Sequence, residues 1–242
     1  MKKILAMVVA ALLASSLTPV IAGPFSVTPV RIYMTPQDRA VAVTINNEGD
    51  SELVMQADLY TWKQKPNGED DLELTEDLLL SPPIIKIAGK SRQVVRLARL
   101  QPPDLDQQQS YRLIVREIPE AAPSSANLQL QIAIAFSLPV FITPPNAKHQ
   151  LDCAAQKTAM DKVSVTCTNT GNAYAQIIDL TLEKSLDNKI TARTKGGYIL
   201  PTITRTFDIT SENNQPVPHG EAKLIARLDD GSKQTFDVVI SK

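Results

Sequence analysis

Histidine is nearly missing from this chain of 242 residues: only His149 and His219 occur, both in polar, loop-like stretches. Acid–base and nucleophilic catalysis draw on imidazole more than on any other side chain, so an enzyme has little to build on here. No G-x-S-x-G, P-loop, G-x-G-x-x-G or H-E-x-x-H pattern is present. A hydrolase with an unrecognised site would need polar groups converging on one of the two histidines. Excess charge is lacking too. Lys and Arg number 25 against 26 Asp and Glu, for a formal net charge of -1, which argues against a nucleic-acid partner. The acidic stretch Glu69-Asp70-Asp71 with Glu73 lacks the ligand spacing and glycine of a calcium loop and reads as a solvated turn. No metal or cofactor is expected.

Long apolar runs are confined to the start of the chain. Lys2 and Lys3 precede an apolar stretch from Ile4 to Leu17, and Ala22 closes a Val-Ile-Ala triplet. This is the layout of a secretory signal peptide over residues 1–22, cleaved after Ala22. The competing reading, a membrane anchor, is disfavoured by the shortness of the run, by Ser15 and Ser16, and by Pro19. The stretch from Ile132 to Ile142 is also too short to span a bilayer and is broken by Ser137 and Pro139, so the chain is not expected to be membrane-embedded.

Cysteine is limited to Cys153 and Cys167. An even count in an exported chain points to one disulfide. It would close a loop of about 15 residues, worth on the order of 3 kcal/mol. A zinc pair is the alternative, with poor spacing and no nearby histidine.

What the sequence does carry is strand periodicity. Val41, Val43 and Ile45 alternate with smaller or polar residues, as do Val163, Val165 and Cys167, and Phe236, Val238 and Ile240. Turn signals separate such runs, among them Asn47-Glu48-Gly49-Asp50, Pro66-Asn67-Gly68, Thr170-Gly171-Asn172 and Asp229-Asp230-Gly231. Many short strands with regular turns predict an all-β chain of two immunoglobulin-like β-sandwiches. Thr143-Pro144-Pro145-Asn146 marks the boundary, giving domains over 23–143 and 144–242. Ser81-Pro82-Pro83 is a candidate for a cis peptide at a strand switch.

One segment is unusual. Residues 127–142 read NLQLQIAIAFSLPVFI, with Leu128, Leu130, Ile132, Ile134 and Phe136 on one face. The bland account is a long sandwich strand with its apolar face on the core. The sharper account is a strand offered to another protein, giving backbone hydrogen bonds along an edge and a side chain into a pocket at every second residue. A contiguous apolar row also leaves self-association of the free chain open.

Several segments together resemble the PapD-like periplasmic chaperones of the chaperone–usher pathway. They are Ser26-Val27-Thr28-Pro29-Val30-Arg31-Ile32, Val43-Thr44-Ile45-Asn46-Asn47, Ser81-Pro82-Pro83-Ile84, Val94-Val95-Arg96-Leu97, and Gln129-Leu130-Gln131-Ile132-Ala133. The most specific is Tyr111-Arg112-Leu113-Ile114-Val115-Arg116-Glu117-Ile118-Pro119. In the second half, Tyr198-Ile199-Leu200-Pro201 with Arg205-Thr206-Phe207 resembles a turn and strand of the family's second domain.

The resemblance implies two domains in a boomerang arrangement enclosing a cleft. The last strand of the first domain completes a pilus subunit that lacks a strand. Two cations in the cleft anchor the subunit's C-terminal carboxylate, and an outer-membrane usher receives the complex. Arg31 falls at the first anchor. The second, usually a lysine, aligns with or near Pro139, and no lysine lies between Asn127 and Ala147. This departure resembles the archaic branch of the family. Arg112 is the candidate replacement, with a surface role as its alternative. Arg116 is read as an internal ion pair, and Lys148 as a further candidate. The rival function is an exported immunoglobulin-like structural or adhesive protein, which would pair or cover the 127–136 edge with its own chain.

Overall fold

The computed structural model describes residues 25–119, 133–184, 190–211 and 215–240, without the side chains of 190 and 191. Every regular element among them is a strand. The first ten are β1 (Phe25–Thr28), β2 (Ile32–Met34), β3 (Ala40–Asn47), β4 (Leu53–Gln64), β5 (Asp70–Leu74), β6 (Leu78–Ser81), β7 (Ile84–Ile87), β8 (Arg92–Arg99), β9 (Gln109–Glu117) and β10 (Ala135–Ile142). They form two facing sheets. One runs β1-β3-β8-β6; the other runs β2-β10-β9-β4-β5, with β7 also on β4. Among the described residues the chain crosses from one sheet to the other seven times, and two of these crossings lie between β1 and β2 and between β6 and β7. Both crossings contain a cis X-Pro bond, Thr28-Pro29 and Ser81-Pro82. The second lies where the proline pair is in the sequence. The acidic stretch is not a turn: Asp70–Leu74 is the edge strand β5, hydrogen-bonded to β4.

Alternation builds the first core. Phe25 and Val27, Val43 and Ile45, Val95 and Leu97, and Leu113 and Val115 all bury the face that looks at the opposite sheet. Two strands break this pattern. In β4 the buried positions are Leu53, Met55, Ala57 and Leu59, and then shift to Trp62 and Gln64 on the other face. In β10 every residue from Leu138 to Ile142 is buried. Both departures mark where the second half of the chain lies against the outer side of the sheet: burial in β4 moves to that side at Trp62 and Gln64, and Leu138–Ile142 of β10 is covered on both faces.

That second half contains β11 (Leu151–Ala159), β12 (Lys162–Asn169), β13 (Ala175–Lys184), β14 (Ile190–Lys195), β15 (Tyr198–Ile199), β16 (Thr204–Ser211), β17 (Gly220–Leu228) and β18 (Lys233–Ile240). They join in one sheet, β11-β12-β16-β14-β13-β17-β18, with β15 on β13. Among the described residues, Ala192↔Ser211 and Arg193↔Thr210 link β14 to β16. The sheet folds over on itself around a separate core that includes Val163, Val165, Leu180, Leu182, Leu224 and Ile240. Gln234 on β18 holds the two ends together: its side chain accepts from Leu151 N and donates to the His149 carbonyl.

Each half repeats one device. Asn47 ends β3, accepts from Gly49 N, and donates to the carbonyls of Ser51, Ile87 and Ala88. Asn169 ends β12, accepts from Gly171 N, and donates to the carbonyls of Ala173 and Ile199. Both asparagines are buried, so these bonds satisfy main-chain groups that water does not reach. A Cβ on Gly171 would sit 2.1 Å from the Lys148 carbonyl oxygen, so this turn needs glycine.

Candidate functional site

The two halves meet on the outer face of the β2-β10-β9-β4 sheet. Register places Phe141 beside Tyr33 on one side and Ser110 on the other, and Pro139 beside Arg112, which in turn faces Tyr60. Against this row the second half sets Tyr174, Leu200 and Tyr198. Phe141 is fully buried and stacks on Tyr174 with centroids 4.2 Å apart. Trp62 meets Tyr198 edge-on at 5.2 Å. Burying one large apolar side chain contributes about 1.5–3 kcal/mol, and each well-oriented ring pair adds about 0.5–1.5 kcal/mol. Two glutamines bind across the same boundary. Gln64 accepts from Leu200 N and donates to the Tyr198 carbonyl. Gln108 accepts from Tyr174 N at 2.8 Å and donates to Thr143.

Two arginines border this aromatic block. Arg31, just before β2, is ion-paired with Asp229 in the β17–β18 turn. Tyr174 donates its hydroxyl to the same Asp229 oxygen at 3.2 Å, and the Tyr33 and Tyr174 hydroxyls are 2.7 Å apart. Burial alone would lower the Arg31 guanidinium. Hydrogen bonding to Tyr33, the charge of Tyr198 and the contact with Asp229 outweigh burial and push it up. Tyr174 is pushed up by burial first, then by its bonds to Tyr33 and Asp229. A cavity of about 250 Å³ opens here, lined by Arg31, Tyr33, His149, Tyr174, Asp229 and Asp230 among others.

Arg112 is more enclosed. Its guanidinium lies 3.6 Å from the centre of the Trp62 ring and contacts Asp70 at 3.3 Å. Asp70 also accepts from Trp62 Nε1 at 2.8 Å. Burial lowers Arg112, opposed by the charges of Asp70 and Tyr198. Tyr198 is pushed up by burial, while Arg31 and Arg112 both pull it down, so the two arginines share it as a neighbour. Arg112 sits directly across the ladder from Pro139. Arg116, two repeats of the pleat further along β9, pairs with Asp58 at 3.0 Å and donates to Tyr60.

Of the apolar row, Leu128, Leu130 and Ile132 lie outside the described residues. Ile134 and Phe136 are half-buried and continue the face of Leu138, Val140 and Ile142 against the first core. Phe136 meets Phe25 edge-on at 5.2 Å. Among the described residues the strand runs Ala135–Ile142, and residues 127–132 lie outside them. β9 pairs with all of β10, whereas β2 flanks only Val140–Ile142. The other edge of residues 135–139 therefore has no strand beside it among the described residues. Proline at 139 suits such an edge. Cys153 and Cys167 are directly opposed in the β11–β12 hairpin and joined by a disulfide.

Tyr33, Tyr174, Gln64 and Gln108 are not singled out by the sequence analysis, where Asp229 stands only within a turn and Tyr198 only within a segment that resembles the second domain. One signal for them was available: the chain has one Trp and five Tyr, and the Trp with three of the Tyr gather at this boundary. Among the described residues no His, Cys, Asp and Glu group together in a way that holds a metal. Nor is any helix among them long and apolar enough to cross a membrane.

Comparison with known proteins places these features in context. The model of the pili and flagellar-assembly chaperone family, PapD N-terminal domain, matches residues 24–148, more than half of the chain. Chaperone protein PmfD of Proteus mirabilis is 29% identical over 137 residues, which are 55% of this chain and 50% of PmfD. The chain thus matches about half the length of that curated relative. Among solved structures, a chain of the CsuC–CsuE chaperone–tip adhesion subunit pre-assembly complex, from the archaic chaperone–usher Csu pili of Acinetobacter baumannii, is similar with a TM-score of 0.64. The match covers 90% of this chain and 99% of that one at 20% identity. A chain of the Salmonella enterica SafA pilin complex with the SafB chaperone is similar with a TM-score of 0.58, covering 91% and 98% at 14% identity. Likeness at these identities is one of fold.

Proposed function

This chain belongs to the pili and flagellar-assembly chaperones, and we propose that it works as one, holding pilus subunits that lack a strand until an outer-membrane usher takes them. The observation that carries this reading is the open edge of β10 beside Arg31. An edge offers backbone donors and acceptors to an incomplete sheet, and the apolar row gives it side chains to insert. In this reading Leu128, Leu130, Ile132, Ile134 and Phe136 form the donated row, with Ile134 and Phe136 at the point where it leaves the chain's own core. An adhesive or structural protein would be better served by closing that edge with its own chain, and no described strand does so.

Arg31 and Arg112 are the proposed carboxylate anchor. Arg112, opposite Pro139, supplies a guanidinium at the height where a lysine is absent, in keeping with the archaic branch. The two domains divide at 143/144. Export through a signal peptide cleaved after Ala22 places the protein in the periplasm. Co-expression with a candidate pilus subunit and purification from the periplasm tests the reading. Wild type brings down the subunit. Arg31→Ala and Arg112→Ala each remain folded and lose it by at least about tenfold, the scale of a lost charge-assisted bond. Undiminished capture by both variants removes the anchor from the account.

A further inference from the structure

The proposed anchor is not an empty receptor. Arg31 already holds a carboxylate, that of Asp229. The same is true of its neighbours: Arg112 holds Asp70, and Arg116 holds Asp58. Asp229 differs from the other two in its position. It comes from the β17–β18 turn, 198 residues from Arg31, and it lines the same cavity as Arg31. Its side chain is 14% exposed and that of Arg31 is 34% exposed, so the pair is covered yet can be reached. A second hydrogen bond, from the Tyr174 hydroxyl, keeps the Asp229 carboxylate in place.

A second carboxylate arriving at Arg31 would lie beside the first. Two like charges sharing one site disfavour each other strongly, so one must move away or lose its charge. Leaving Arg31 partly buried without any carboxylate is costly in turn. The pair therefore resists opening, yet it can exchange one carboxylate for another.

We propose that Asp229 is a resident carboxylate that competes with the subunit's terminal carboxylate for Arg31, and so sets the threshold an incoming chain must pass. This rests on the anchor reading of Arg31. A free carboxylate alone does not displace Asp229. One attached to a segment that also pairs along β10 does, because the two contacts act together. Stray chain ends in the periplasm are thereby refused.

The probe is acetate, the smallest free carboxylate, titrated into the isotope-labelled full chain at constant ionic strength with chloride as the reference anion. The readout is the Arg31 guanidinium resonance, identified by its loss in Arg31→Ala. In wild type acetate shifts it no more than chloride does. In Asp229→Asn, which keeps the shape and an oxygen for Tyr174, acetate binds saturably and at least about tenfold more tightly. Tyr174→Phe, which loosens Asp229 without removing it, falls between the two, and it decides the matter if Asp229→Asn does not fold. Acetate affinity that is unchanged or weaker in these variants overturns the proposal and makes Asp229 a residue that positions Arg31. If wild type fails to capture any subunit while Asp229→Asn still gains acetate binding, the chaperone reading fails and the competition stands.

Discussion

Phe141→Ala removes the ring around which the two halves are assembled. Phe141 is fully buried. Its centroid lies 5.8 Å from Tyr33 and 5.9 Å from Trp62 in its own half, and 4.2 Å from Tyr174 and 6.2 Å from Tyr198 in the other. Truncating a buried Phe costs about 3–5 kcal/mol, from lost transfer energy and the cavity left behind. Half of this ring's aromatic partners lie across the boundary, so a large part of that loss falls on the coupling between the halves. What still joins them is the Trp62–Tyr198 contact, the Arg31–Asp229 pair, the Tyr33–Tyr174 hydroxyl bond and the bonds of Gln64 and Gln108, each neutral hydrogen bond worth about 1 kcal/mol net. Urea unfolding followed by tryptophan fluorescence and by circular dichroism measures this. Trp62 reports the boundary, and dichroism reports all strands. In the variant the fluorescence midpoint falls well below the dichroism midpoint, with a total loss of about 3–5 kcal/mol. Coincident transitions with a loss under about 1 kcal/mol would refute the idea that this ring couples the halves.

Asn169→Ala leaves the carbonyls of Ala173 and Ile199 without their side-chain donor in a buried turn; urea unfolding should show a loss of about 2–4 kcal/mol, the desolvation cost of stranded groups. Alkaline pH should destabilise the fold. Burial, with Asp77 second, pushes Tyr111 up to about 12 from its ordinary value of 10.0. The folded state thus keeps a proton that the unfolded state releases first. The stabilisation is complete below the unfolded value and is lost as pH rises through the folded one. Tyr174 and Tyr198 are raised as well and act in the same direction. Urea midpoints across that window should fall with pH, and Tyr111→Phe should flatten part of the slope.

Strands covered on one face were legible in the sequence, because alternation is the trace such burial leaves; β3, β12 and β18 follow it. Strands covered on both faces carry no such trace. The run Leu138–Ile142 reads as apolar throughout, and only the structure separates Val140, facing the first core, from Phe141, facing the second half. Glu69-Asp70-Asp71 with Glu73 reads as a solvated turn because charge and exposure go together, yet backbone pairing with β4 makes Asp70–Leu74 a strand with mostly exposed side chains. The resemblance pointed to Arg31, but not to Asp229. Their contact spans 198 positions, and that of Gln64 with Leu200 spans 136, distances over which local pattern carries no information. The acidic turn signal Asp229-Asp230-Gly231 was visible as a turn, and its charge acquires meaning only beside Arg31.

Ile132→Asp tests the central claim most directly. Ile132 lies in the middle of the proposed donor row, and a large aliphatic side chain there contributes about 1.5–3 kcal/mol when buried in a subunit's open groove. An aspartate in that groove is an unpaired buried charge, a far larger penalty than a lost methyl. One sample of the variant gives two readings: circular dichroism for its own fold and recovery of co-expressed subunit for its function. The account predicts a chain that is folded as wild type and recovers no subunit. A folded variant that recovers subunit normally, or one that no longer folds, contradicts it.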